Sequence, residues 1–325
     1  MGAMTSTSET FTSGTLTVPG GSLYYETRGT GPLLLISQSG EGDAGRSVDL
    51  VDRLVDAYTV ITYDRRGLSR STIGAPGTGV SVREHADDVH RLLAHLTDQP
   101  VIMLGQSLGA SIGLHLAVAH PEQLALLIAH EPVSPWLLPE AAGTRHRREL
   151  SEIRDLYLEE GLPAAFKEVP RVVGITGDAE PGLTPQPMTP QRQANFDFFI
   201  RHDFTAVIED DLDFDPVLDF DPSPNPDLSP GPDLSPDPNL SPDPGPGLTG
   251  CRTRILPAAG LTTPRTVFDY QCAVELAKLL DTELVEFPGG HNGNTSHPRA
   301  YSARLREVLD QAPSGVLGLT TEWRP

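Results

Sequence analysis

At 325 residues the chain is long enough to bury one large core, or a core carrying an elaboration. Hydrophobic residues make up 38% and charged residues 21%, and no run approaches the ~20 apolar residues of a membrane-spanning helix. The net charge of −20 excludes the basic surface by which nucleic-acid-binding proteins displace counterions.

Met1–Ala3 ahead of a second methionine, Met4, reads as a tag remnant, and residues 1–13 as a flexible start without the basic and apolar stretches of a secretory leader. From residue 14 to residue 135, β-rich runs alternate with helical patterns. Ser22–Thr27 alternates as a strand does, and Leu33–Ile36 reads as a buried strand. Val51–Leu54 belongs to a helix and Thr59–Tyr63 to the next strand. Val82–Leu96 has helical spacing, with Val89, Leu92, Leu93 and Leu96 on one face. Val101–Leu104 is a strand, Ser111–Ala119 a helix and Leu124–Ala129 a strand. This alternation predicts an α/β fold with right-handed crossovers, a mainly parallel sheet and flanking helices.

Beyond Pro135 the strands stop. Arg148–Glu160, Pro163–Glu168 and Gln191–Phe204 read as helices, so residues 136–208 form a helical cap over the sheet. Residues 209–250 then carry eleven acids and no Lys or Arg, which is −11 of the net −20. Proline blocks helix and sheet there, and the acids repel one another. An extended acidic loop is expected. Asp211, Asp213 and Asp215 are spaced like the start of an EF-hand loop, but Pro216 and Pro222 stand where glycine and glutamate belong. From residue 251 to the end the pattern resumes: strand Arg254–Ala258, helix Tyr270–Leu280, strand Glu283–Phe287, helix Pro298–Leu309.

Two cysteines, Cys251 and Cys272, make neither a disulfide framework nor a zinc site. They suit a reducing compartment, and a cytoplasmic location is expected. No cofactor and no metal is expected, and the partner is a small-molecule substrate, with a homodimer left open. Only Lys167 and Lys278 are lysines, an Arg-heavy balance that suggests a GC-rich bacterial gene.

The strongest local signal is Gly105-Gln106-Ser107-Leu108-Gly109, between the strand Val101–Leu104 and a helix. Such a turn lifts a serine hydroxyl clear of the backbone, and flanking glycines admit the close-packed neighbouring chain. The helix N-terminus that follows favours a developing oxyanion. In this setting the chain resembles the α/β-hydrolase-fold superfamily, in its esterase, peptidase and haloperoxidase-like branch. The resemblance covers residues 23–135 and 252–308. Tyr63-Asp64-Arg65-Arg66-Gly67-Leu68-Ser69-Arg70-Ser71 is similar to a segment that is structural in that family, so Asp64 and Arg66 are expected to be turn and packing residues.

The resemblance implies a catalytic base at His291, within Phe287-Pro288-Gly289-Gly290-His291-Asn292-Gly293 after the last strand. His85, His90, His95, His115, His120 and His297 are expected to be surface or packing residues. The family's usual acid position reads Ala258-Ala259-Gly260-Leu261-Thr262-Thr263-Pro264 and holds no carboxylate. Haloalkane dehalogenases carry the acid one strand earlier, which here is Glu131, and Glu131 keeps the chain order serine, acid, histidine. Asp269, at the start of a helix, is the weaker alternative. The oxyanion hole is expected from the N–H groups of Leu108 and Ser39, with Gln38 either contributing its amide or holding the loop. A serine at position 107 excludes the aspartyl-ester chemistry of dehalogenases and epoxide hydrolases. The expected activity is that of a serine hydrolase on an ester or related acyl bond; the alternative is a non-hydrolytic tailoring enzyme or cyclase using the pocket and His291.

Overall fold

Five strands buried on both faces set the frame of the protein. The structure, a computed structural model, describes residues 11–74, 79–212 and 253–311. Strands β1 (Phe11–Val18), β2 (Gly21–Arg28), β3 (Leu33–Ser37), β4 (Thr59–Tyr63), β5 (Thr72–Ile73), β6 (Val101–Gln106), β7 (Leu124–His130), β8 (Arg254–Gly260) and β9 (Val285–Phe287) form one sheet. Its order is β1-β2-β4-β3-β6-β7-β8-β9, with β5 paired to β2. The pairs involving β2 are antiparallel, and every pair from β4–β3 to β8–β9 is parallel.

Side chains alternate along each strand, so the central strands feed two cores. Leu33, Leu35, Val101, Met103 and Leu127 pack on one face, and Leu34, Ile36, Ile102, Leu104 and Ile128 on the other. Helices α1 (Val48–Val51) and α10 (Pro298–Asp310) close the second core, while α2 (Val82–Leu96), α3 (Leu108–Ala119) and α8 (Phe268–Leu279) lie against the first. Helix α2 starts where the Ser81 hydroxyl accepts the N–H of Glu84 at 3.0 Å. It buries Val82, Ala86, Val89, Leu92, Leu93 and Leu96 along one face.

Between β7 and β8 the described residues hold helices and no strand: α4 (Glu140–Glu160), α5 (Leu162–Val172), α6 (Pro190–Phe198), a π-helical turn (Phe199–Asp203) and α7 (Phe204–Ile208). Helix α4 buries His146, Leu150, Ile153 and Tyr157 at helical spacing and leaves its charged face to solvent. The short helix α9 (Gly293–Ser296) precedes α10.

Three boundaries differ from expectation. Residues 11–13 open strand β1 instead of a flexible start. That strand is mostly exposed, so its Ser-Gly-Thr run has no apolar face to announce it. Glu209–Leu212 are described as part of the folded body, with Asp210 and Leu212 buried. The Asp210 carboxylate accepts from His115 Nε2 at 2.8 Å and from Trp136 Nε1 at 2.9 Å. Finally, the helix expected over residues 191–204 is interrupted by the π-helical turn. The remainder of the acidic segment, with Asp213, Asp215 and Cys251, lies outside the described residues. No described helix is long and apolar enough to cross a membrane.

Backbone packs closely on backbone at the β6–α3 turn. A Cβ on Gly109 would collide with the Ser37 carbonyl oxygen, with the Ser37 carbonyl carbon at 2.6 Å. Gly109→Ala is expected to lower stability by about 1–3 kcal/mol, the usual cost of overpacking. Thermal unfolding measures this; an unchanged Tm would show that β3 does not press on the turn.

Candidate active site

The carboxyl ends of β6, β7 and β8 and the loop after β9 converge on one point. Strand β6 runs out at Gln106, paired with His130 of β7. One residue further, both chains leave the sheet in strained conformations. Ser107 has φ 53° and Glu131 has φ 45°, positions that cost of order 1–3 kcal/mol for side chains other than glycine. The Ser107 N–H still donates to the His130 carbonyl at 2.9 Å, and the Glu131 N–H donates to the Ala258 carbonyl at 2.9 Å. Ser107 is therefore anchored by its backbone at the start of α3, with its peptide group held by the neighbouring strand. His130 itself is buried, and burial pushes its imidazole down to about 4, so it stands neutral beneath the turn.

Glu131 is fully buried, and its two oxygens have different tasks. Oε1 accepts the N–H of Gly260 at 2.8 Å; Oε2 accepts from His291 Nδ1 at 2.7 Å. An ionised carboxylate only accepts, so Nδ1 carries the proton and the lone pair of a neutral ring is on Nε2. Burial pushes the Glu131 carboxyl up, but the His291 hydrogen bond and the His291 charge outweigh it and hold the group below its ordinary value. For His291, burial pushes the imidazole down, while the Glu131 hydrogen bond and the Asp269 and Glu131 charges hold it above the ordinary histidine value.

The segment whose acid position is empty thus supplies a backbone donor to Glu131. The loop after β8 is also tied to the loop carrying His291: the N–H groups of Leu261 and Thr262 donate to the carbonyls of Phe287 and Gly289 at 2.9 and 3.0 Å. Glycine at 260 permits this, since a Cβ there would lie 2.6 Å from the Gly290 Cα.

Asp269 stands further off. Its carboxylate lies 3.8 Å from His291 Nδ1 and 3.2 Å from Nε2 of His146, a residue of α4. Both Asp269 and His146 are fully buried, and neither side chain has a hydrogen-bond partner. Glu131, at the shorter distance and in hydrogen-bonding geometry, is the carboxylate that His291 engages.

The loop after β3 brings Gln38, Ser39 and Gly40 beside the turn. Gln38 Oε1 accepts from the Ser47 hydroxyl at 2.9 Å and from Asn294 Nδ2 at 3.5 Å, which supports the loop-holding alternative for its side chain. Its Nε2 is buried without a partner. The carbonyl of Ser39 accepts from Arg65 Nη1 at 2.8 Å and from the Gly42 N–H at 3.0 Å.

The remaining motif residues are structural. Asp64 accepts the Ala44 and Arg70 N–H groups at 2.8 and 3.0 Å, and Arg66 makes a two-pronged pair with Asp88 at 2.9 and 2.6 Å. His85 and His115 are buried on Asp203 and Asp210. Arg65 and Asp203 were not anticipated. The doubled arginine after β4 is a visible signal for the first; nothing local marks the second. Cys272 is buried, and burial pushes its thiol well above the ordinary value, away from nucleophilic use. Among the described residues no group of histidine, cysteine or acid side chains could hold a metal ion.

Residues 32–171 match the family model of the α/β hydrolase fold. The uncharacterized hydrolase YraK of Bacillus subtilis (strain 168) is 34% identical over 302 residues, spanning 93% of this chain and 97% of that protein. Among solved structures, the esterase EaEST from Exiguobacterium antarcticum superposes with a TM-score of 0.63 at 17% identity, covering 91% of this chain and 98% of its own. A thermophilic esterase from Thermogutta terrifontis, with malate bound, gives a TM-score of 0.56 at 18% identity over 94% of this chain and 99% of its own. At such identities these likenesses show the fold alone. With the sheet order, the strained serine turn and a relative similar along nearly the whole of both chains, the protein belongs to the α/β-hydrolase-fold family.

Proposed function

We propose that the protein is a serine hydrolase that cleaves an ester or related acyl bond of a small to medium-sized organic substrate. The observation that carries this reading is the 2.7 Å bond from His291 Nδ1 to the buried Glu131, whose chain neighbour His130 accepts the N–H of a serine held at φ 53°. A histidine oriented by a buried carboxylate and a serine lifted from a strand end are what acyl transfer requires. The esterase descriptions of the two similar structures agree with it. The non-hydrolytic alternative takes its motive from the empty acid position after β8, and the Glu131 bond to His291 supports the hydrolase reading over it.

In this mechanism Ser107 Oγ attacks the acyl carbonyl while His291 Nε2 takes its proton. The N–H groups of Leu108 and Ser39 stabilise the tetrahedral oxyanion. Collapse breaks the bond to the leaving alcohol, which takes the proton from His291. Water, deprotonated by His291, then attacks the acyl-enzyme and releases the carboxylic acid and Ser107. The imidazolium that forms twice per turnover is stabilised by Glu131. Residues 140–208 lie over the strand ends, and substrate choice is expected to reside in them.

A fluorophosphonate probe is expected to label the wild type, and Ser107→Ala or His291→Ala to abolish labelling. On short-chain aryl esters either change is expected to lower kcat by a factor of about 10⁴ or more. A wild type that is neither labelled nor active on such a panel would overturn the proposal.

The pH profile tests the acid. His291 works as a neutral base and its imidazole is held above the ordinary value of about 6.5. Activity is therefore lost as pH falls through that raised value and is full above it. Glu131→Gln removes the stabilised imidazolium: the acid limb of kcat/KM is expected to move to lower pH while the plateau falls by about 10²–10⁴. An unmoved limb with an unchanged plateau would assign the acid elsewhere.

A further inference from the structure

The buried guanidinium of Arg65 has a use that neither the sheet nor the triad requires. Arg65 directly follows Asp64, which comes just after β4, and its side chain is 2% exposed. Its Nη1 donates to the carbonyls of Gln38 at 3.4 Å and Ser39 at 2.8 Å; its Nη2 donates to the carbonyl of Gly40. Three successive carbonyls of one loop therefore converge on a single cation. Nη2 also donates to Asp203 Oδ2 at 2.8 Å, and Oδ1 of the same carboxylate lies 3.0 Å from His85 Nε2.

Peptide planarity turns this into a statement about donors. In a trans peptide the C=O of one residue and the N–H of the next point in opposite directions. Drawing the carbonyls of residues 38 to 40 toward Arg65 turns the N–H groups of Ser39, Gly40 and Glu41 to the other side of the loop. Ser39 N–H is the second oxyanion donor of the proposed mechanism. Its direction is thus set by a charge on the far side of its own peptide.

We infer that Arg65 is a positioning residue for the oxyanion hole, and that Asp203 locks it there from the cap; the inference rests on the serine-hydrolase reading. A lysine would not substitute. Its single ammonium cannot span three carbonyls and a carboxylate, whereas the planar fork of arginine presents separate donors to each. Asp203 belongs to the π-helical turn, and the preceding residues of that turn reach the same loop: Phe199 packs on Gly40 so closely that a Cβ there would overlap its ring. Asn195 Nδ2 donates to the Glu41 carbonyl at 3.2 Å. The cap thereby holds the loop from above while Arg65 holds it from behind. Burial pushes the Asp203 carboxyl up, but the Arg65 charge and the His85 bond outweigh it and keep it below its ordinary value. A carboxylate so held leaves Arg65 with an ionised partner.

The test uses the full chain, an aryl ester and phenylboronic acid, whose boron bonds the serine oxygen and sets an oxygen where the oxyanion would be. For Arg65→Lys, kcat is expected to fall about 100-fold, the usual loss of one oxyanion donor, with KM changed by less than about threefold. The inhibition constant of phenylboronic acid should weaken by a similar factor. Asp203→Asn is expected to lower kcat in the same sense, and Arg65→Lys with Asp203→Asn to be no slower than Arg65→Lys alone, because Asp203 acts through Arg65. An active wild type with an unchanged kcat in Arg65→Lys would overturn the inference and leave the hydrolase reading intact. So would a loss of kcat without weaker boronic acid binding, the signature of a merely structural residue. Should Arg65→Lys fail to fold, Asp203→Asn alone decides, by whether kcat and boronic acid affinity fall together. A wild type silent toward esters and probe overturns both readings.

Discussion

The Glu131 carboxylate holds the proposed site together because it is buried and has a separate partner on each oxygen. Burying an ionised carboxylate is costly unless it is hydrogen-bonded and paired. Here one oxygen takes a backbone N–H from the end of β8, and the other takes the imidazole of the loop after β9. Two further strand ends are therefore fixed relative to β7. Parallel pairing already brings β6 alongside, so Ser107 and Glu131 leave the sheet side by side. The strained φ at both residues is tolerated because each keeps its backbone bond to the neighbouring strand.

Around this point the polar interior is unevenly satisfied. Glu131 and Asp203 are each paired, and both stay below the ordinary carboxylate value despite burial. Asp269 and His146 are equally buried, yet make no hydrogen bond. They join α8 to the cap helix α4 at 3.2 Å and bring a second carboxylate within 3.8 Å of His291. A negative charge at that distance supports the imidazolium without directing the ring, since direction comes from a hydrogen bond and not from a field alone. Glu131 orients the ring, and Asp269 adds to the potential.

Besides the His146–Asp269 pair, the cap touches the loops around the proposed site by two different kinds of contact. At the loop after β3 the contact is electrostatic and directional, through Arg65 and Asp203. Beside it, Phe198 and Phe199 seat on Gly67 and Gly40, where any larger residue would collide with the rings. Such contacts transmit displacement, because close-packed interiors repack in steps and do not deform smoothly. A change in the cap's helices would be felt at the loop before it was felt at Ser107, whose backbone bonds go to β7 and to the first turn of α3.

Local order was legible in the sequence wherever a segment carries its own signal. The six-residue apolar face of α2, the doubly buried strands and the glycine-flanked Ser107 turn all announce themselves within a few residues. So does the Gly289-Gly290-His291 loop by its place after the last strand. Strand β1 was missed because it is an exposed edge without an apolar face, and the π-helical turn because it breaks a 3.6-residue pattern that continues on either side. By itself the sequence determined the fold class and pointed to a candidate serine, a candidate histidine and a short list of acids. Local features ranked Glu131 above Asp269, and only tertiary structure shows how far apart they stand, at 2.7 and 3.8 Å from His291 Nδ1. It alone joined Arg65 to Asp203 across 138 residues. Pairings of that kind depend on the sheet's register and the cap's seating, which no short window of residues contains.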